Sequence, residues 1–186
     1  MPESGELTGI AVRSKSRAPM QECLVAEATT DSGIAGDFRG KGKRPVTLMS
    51  KELWAEVEAE LGMPLQWTLR RINLLIRGLD FSALHGCTLQ VGSAQLIVRG
   101  TTPPCGRMDE QVKIRGQRLE PGEVTARVLQ CTYVFYTILG LPSGSRQSHR
   151  IAKRSRVLRE DPQPSQDLAG KFSGAPLSGR NLATGF

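Results

Sequence analysis

Residues 67–100 read WTLRRINLLIRGLDFSALHGCTLQVGSAQLIVRG, and this stretch decides the fold. Leu74–Ile76 is a short apolar run of the length of a buried strand. Gly78 breaks it, and Asp80–Leu84 has the makings of a single helical turn that presents Leu79, Phe81 and Leu84 as anchors. CTLQV and AQLIVR then alternate around Gly92-Ser93, a two-residue hairpin turn of the glycine-first kind. The second arm runs straight into TTPPCGRMD at 101–109. Two consecutive prolines fix φ and remove two backbone donors, so that run is a stiffened loop rather than a helix interior or central strand. It holds Cys105 two residues from the cation of Arg107. A thiolate is stabilised in such a place, although a lone cysteine in a turn also serves as a small apolar plug.

Outward from this centre, LTGIAVR (7–13) and CLVAEA (23–28) read as strands, separated by the polar loop SKSRAPM. Between Gly33 and Arg44 the chain packs four glycines and four cations. That loop could wrap an anion, yet it lacks the Gly-Lys-Ser/Thr ending of a nucleotide phosphate loop. Val46–Met49 leads out of it as a strand. The clearest helix spans 51–61, with Ser50 placed as its cap, Glu52 in its first turn and Gly62 as its end before Pro64. Leu53, Val57 and Leu61 recur every fourth residue with Trp54 beside them, so one face packs on a sheet.

Beyond Asp109, VTARVLQ and CTYVFYTILG read as returning strands, the latter as a final one. From there the composition shifts to Ser, Gly, Pro, Arg and Gln. We therefore divide the chain into a β domain at 1–140 and a largely disordered basic tail at 141–186, with a short basic helix at 151–158. Many short strands, glycine-marked turns and one good helix give a mainly β fold, a barrel or closed sandwich with one or two packed helices. A doubly wound α/β fold would need more helical crossovers.

The chain of 186 residues is long enough for one good core. Its net charge of +7 is unevenly spread: residues 141–186 carry eight cationic and three acidic side chains, or +5, leaving +2 for the body. With nine aromatic residues and no stacking platform, nucleic acid is not an expected partner. No stretch approaches the roughly 20 apolar residues that span a bilayer, so no membrane is expected. The N-terminus does not read as a secretory signal. Four widely spaced cysteines without a Cys-x-x-Cys pair argue against zinc and disulfides and suit a reducing cytoplasm.

Three segments stand in order: GIAGD at 33–37, RRINLLIRGLDF at 70–81, and PPCGRMD at 103–109 followed by VTARVL. Together they resemble the MOSC domain, found at the C-terminal end of molybdenum-cofactor sulfurases and as small free-standing bacterial proteins. The resemblance covers roughly residues 7–130. It implies a β-barrel and a cysteine that binds molybdenum or carries sulfur. Carried over position by position, Cys105 is the metal ligand and catalytic cysteine. Arg71 and Asn73 form the Arg-x-Asn pair, preceded by Arg70; Gly36 and Asp37 form the Gly-Asp turn; Arg107 and Asp109 are the polar positions after the cysteine. The implied cofactor is the molybdenum cofactor, molybdopterin, whose phosphate the Arg70/Arg71 pair or the loop at 39–44 could neutralise. No pyridoxal phosphate site is encoded.

The sequence departs from the family where FRGKGKR lacks a histidine, and where nothing after VTARVL matches the usual closing strand. An imperfectly closed barrel would leave an edge open to pairing in a homodimer. Three functions are compatible with these residues. The first is reduction of N-hydroxylated bases or related compounds, with a redox or cofactor-supplying protein as partner. The others are a sulfur carrier using a Cys105 persulfide and a non-catalytic binding barrel. A cysteine hydrolase is disfavoured, since neither His85 nor His149 sits in a catalytic setting.

Overall fold

The computed structural model describes residues 4–38, 46–62, 64–101, 132–135 and 148–162. Twelve strands occur there: β1 (Ser4–Val12), β2 (Gln21–Cys23), β3 (Val25–Thr29), β4 (Gly33–Ile34), β5 (Val46–Ser50), β6 (Leu74–Arg77), β7 (Thr88–Val91), β8 (Ala94–Ile97), β9 (Gly100–Thr101), β10 (Thr132–Phe135), β11 (Ser148–Ala152) and β12 (Arg156–Glu160). One α-helix, α1 (Lys51–Leu61), and two 3-10 turns, Trp67–Arg70 and Phe81–Ala83, complete the described elements.

The main sheet runs β8-β7-β12-β1-β6-β5-β10-β9, with β2 added to β1, and β11-β3-β4 form a smaller sheet. Strands β8 and β9 are separated by only Val98 and Arg99, yet β8 pairs with β7 while β9 pairs with β10. One short run of chain thus touches both ends of the strand order, and the sheet curls into a barrel-like shape. The root of the 101–109 stretch is this seam.

Two cores lie on the two faces of the curled sheet. Leu7, Ile10, Leu48, Leu74, Ile76, Leu89 and Val157 fill the interior. Met49, Trp54, Val57, Leu65, Ile72 and Leu75 pack beneath α1 outside. Leu74 and Ile76 therefore point one way and Leu75 the other, which is why this strand is apolar at every position. Strands β5 and β6 are parallel, and α1 belongs to the crossover between them.

Local signals are realised closely. Ser50 Oγ accepts from the Leu53 backbone N–H at 3.3 Å, and Gly62 ends the helix at φ 62°. Asp80 caps the turn at 81–83. In the β7–β8 hairpin Gly92 takes φ 60°, while Ser93 is not among the residues of positive φ, as the glycine-first turn requires.

Three expectations are corrected. The run 23–28 is not one strand: it splits at Leu24, which is 72% exposed, so β2 joins the main sheet and β3 the smaller one. CTYVFYTILG does not supply a final strand; its described part, β10, lies between β5 and β9. The helix at 151–158 is absent, and 148–160 forms two strands rather than part of a disordered tail. β11 pairs with β3 and β12 inserts between β7 and β1. Their turn is docked as well: the Arg154 N–H donates to the Leu7 carbonyl at 2.7 Å, and Leu7 N–H to Ser155 O at 2.9 Å. The β architecture thus extends beyond residue 140 because Ile151 and Val157 are core residues, 1% and 0% exposed.

Candidate functional site

Of the positions implied by the motifs, Gly36, Asp37, Arg70, Arg71 and Asn73 are described; Cys105, Arg107 and Asp109, with the VTARVL segment, lie outside the described residues. The described ones gather around the start of β5 and β6 and the end of β1.

Asn73 immediately precedes β6 and is 4% exposed. Its Oδ1 accepts from the Thr47 backbone N–H at 3.1 Å and from the Thr47 hydroxyl at 2.8 Å. Its Nδ2 donates to the Ala11 carbonyl at 3.2 Å. Its own N–H reaches Thr47 O and Oγ1, and its carbonyl accepts from Ala11 N–H. One side chain thereby ties β1, β5 and β6 together, and a buried amide so bonded is well satisfied. Thr47 is opposite Val134, which is opposite Gly100, so the clamp lies two strands from the β8–β9 seam.

The Gly-Asp turn docks on the end of β1. Gly36 adopts φ 82°, which glycine reaches without steric cost. Asp37 Oδ1 accepts from the Arg13 backbone N–H at 3.0 Å, and Phe38 N–H donates to Arg13 O at 2.7 Å. The Arg13 guanidinium stands 5.8 Å from the Phe38 ring centroid. Arg13 is 6% exposed and Thr47 is the hub of the clamp, yet neither stood out in the sequence. An arginine ending an apolar strand was the only signal for the first.

The two arginines of the motif diverge. Arg70 ends the 3-10 turn and is buried, 3% exposed. Arg71 follows in the left-handed region, φ 59°, and is half-buried. A non-glycine residue there carries strain of about 1–2 kcal/mol. Arg71 lines a cleft of about 240 Å³ with Arg17, Gln66 and Thr68, and its guanidinium has no partner among the described residues. Arg17, in the β1–β2 loop, is also left-handed at φ 66°.

The two described cysteines are occupied otherwise. Burial, and then the neighbouring Glu22 carboxylate, push the Cys23 thiol above its ordinary value. The Cys23 thiol is therefore not set up as a thiolate nucleophile. Cys87 is buried and its S–H donates to Ala83 O at 3.4 Å.

Among the described residues, a curled β-sheet with a helix packed on it, the Asn73 clamp and a docked Gly-Asp turn define the class. The MOSC domain model matches residues 35–136, more than half of the chain. The chain belongs to the MOSC domain family.

Solved structures share the fold. YuaD from Bacillus subtilis superposes with a TM-score of 0.69 at 14% identity, covering 88% of this chain and 99% of that one. YiiM from Geobacillus stearothermophilus gives 0.63 at 12% identity over 84% and 75%, and YiiM from Escherichia coli 0.59 at 13% over 86% and 72%. Among curated proteins, nonribosomal peptide synthetase 8 of Aspergillus fumigatus is 34% identical over 64 residues. That match spans 34% of this chain and about 1% of the synthetase. Among the described residues, no helix is long and apolar enough to cross a membrane.

Proposed function

We propose that the chain binds a molybdenum cofactor, with the Cys105 thiolate as the protein's ligand to the metal. A soft thiolate suits a metal already held by dithiolene sulfurs. The observation that carries the reading is Arg71: a cation held in strained backbone at a cleft, without a partner among the described residues. Strained backbone of this kind clusters at ligand-binding sites. The cleft fits the cofactor's terminal phosphate in charge and in donors, since Arg17, Thr68 and Gln66 line it as well. When bound, the cofactor supplies the two-electron redox chemistry.

The chain's own residues bind and orient. Asn73, two residues after Arg71, ties β1, β5 and β6 together, and Asp37 fixes the entry to the glycine-rich loop. The reaction class is reduction of an N-hydroxylated base to the base. Two electrons from a redox partner and two protons release the hydroxyl oxygen as water.

The test is expression in a cofactor-competent host, followed by metal and pterin analysis of wild type, Cys105→Ser and Arg71→Ala. Wild type should carry molybdenum and pterin together. Cys105→Ser should lose the metal while remaining folded, and Arg71→Ala should retain less pterin. Wild-type protein free of both would overturn the reading.

A further inference from the structure

A second recess lies beside the Arg71 cleft, between α1, β2 and the 3-10 turn at 67–70, and its chemistry is opposite. It encloses about 350 Å³, within the roughly 300–1,000 Å³ of small-molecule sites. Trp54, Trp67, Leu75 and Met20 give it an aromatic and apolar lining; Glu22 and Glu58 bring two carboxylates. Lys51 also lines it, so its formal charge is −1 in a chain of +7.

Both carboxylates are held in place by N–H donors. The Trp67 indole N–H donates to Glu22 Oε1 at 3.2 Å, and the Leu65 backbone N–H to Glu58 Oε1 at 2.7 Å. Neither is paired with a cation among the described residues. The aromatic floor is rigid. Trp67 lies so close to Gly9 of β1 that a Cβ there would stand 2.7 Å from its Cζ2, and the Trp54 indole N–H is tied to Leu65 O at 3.2 Å.

Anchored carboxylates beside indole faces attract a positive charge twice over, through Coulomb interaction and through the ring quadrupole. The apolar lining disfavours a hydrated metal ion and favours a cation with an apolar body. We propose that this recess binds a small aromatic ammonium ion, its head at Glu22 and Glu58 and its ring on Trp67. This goes beyond the cofactor reading and does not depend on it.

Trp54 and Trp67 are the chain's two tryptophans, so intrinsic fluorescence reports on this recess directly. The full-length protein is titrated with benzylammonium, benzyl alcohol and benzoate. Benzylammonium should give a saturable change, with an affinity at least about tenfold above benzyl alcohol, and benzoate none. Glu22→Gln and Glu58→Gln keep an acceptor oxygen for the Trp67 and Leu65 N–H groups. Each should weaken benzylammonium about three- to tenfold while leaving circular dichroism and thermal unfolding unchanged. Equal affinity for benzyl alcohol, saturable binding of benzoate, an unaltered cation affinity in the Glu22→Gln/Glu58→Gln double variant, or no saturable change at all would each overturn the proposal.

Discussion

At the scale of single residues, Asn73 and Arg71 make opposite bargains between stability and chemistry. Every described bond of the Asn73 side chain goes to protein, to Thr47 and Ala11. Asn73→Ala should therefore destabilise the fold by about 2–4 kcal/mol in urea unfolding, since about 1 kcal/mol per lost bond adds to the cost of unsatisfied buried partners. Arg71 should behave the other way. Glycine occupies φ 59° without the steric penalty, so Arg71→Gly is expected to leave stability equal or about 0.5–1 kcal/mol higher. The same variant should hold less cofactor. A large loss of stability there would mean that Arg71 is structural.

At the scale of elements, the start of α1 concentrates a small network. Ser50 is 3% exposed; its Oγ accepts from Leu53 N–H and its hydroxyl donates to Glu52 Oε2 at 2.9 Å. Glu52 Oε1 accepts from Gly78 N–H at 2.8 Å, joining the helix to the end of β6. Ser50→Ala should cost about 1–2 kcal/mol by thermal or urea unfolding. Partial burial raises the Glu52 pKa, but the N–H groups of Glu52 and Gly78, the Ser50 hydroxyl and Lys51 outweigh it, and the carboxyl lies below its ordinary value. A group depressed in the native state stabilises above its unfolded pKa, and that contribution disappears as pH falls through the native one. Stability should thus decline on acidification through and below the usual glutamate range. Glu52→Gln should flatten part of that decline, as followed by the denaturation midpoint against pH.

At the scale of the whole molecule, residues 148–160 decide whether the curled sheet exists. β12 lies between β1 and β7, so removing it separates the β7–β8 hairpin from the rest of the main sheet. A chain ending at residue 140 should show no cooperative unfolding transition. Ile151→Ala, which opens a cavity beneath β11, should cost about 2–4 kcal/mol in the intact chain. A truncated chain that unfolds cooperatively with wild-type stability would refute this role.

The sequence by itself determined what is local. Ser50 and Gly62 bound the helix, Gly92-Ser93 turns the hairpin, and Leu74–Ile76 is a strand, because caps, turns and apolar runs act over a few residues. The order of GIAGD, RRINLLIRGLDF and PPCGRMD was also enough to indicate the family. Only the tertiary structure decided what depends on distant partners. β11 and β12 contribute mainly Ile151 and Val157 to the core, among charged and small neighbours, so no periodicity marked them as strands. Asn73 finds Thr47 and Ala11 across 26 and 62 residues, and Trp67 finds the bare backbone of Gly9. Such pairings arise from register between strands that meet in three dimensions, and a side chain's own neighbours in sequence carry no record of them.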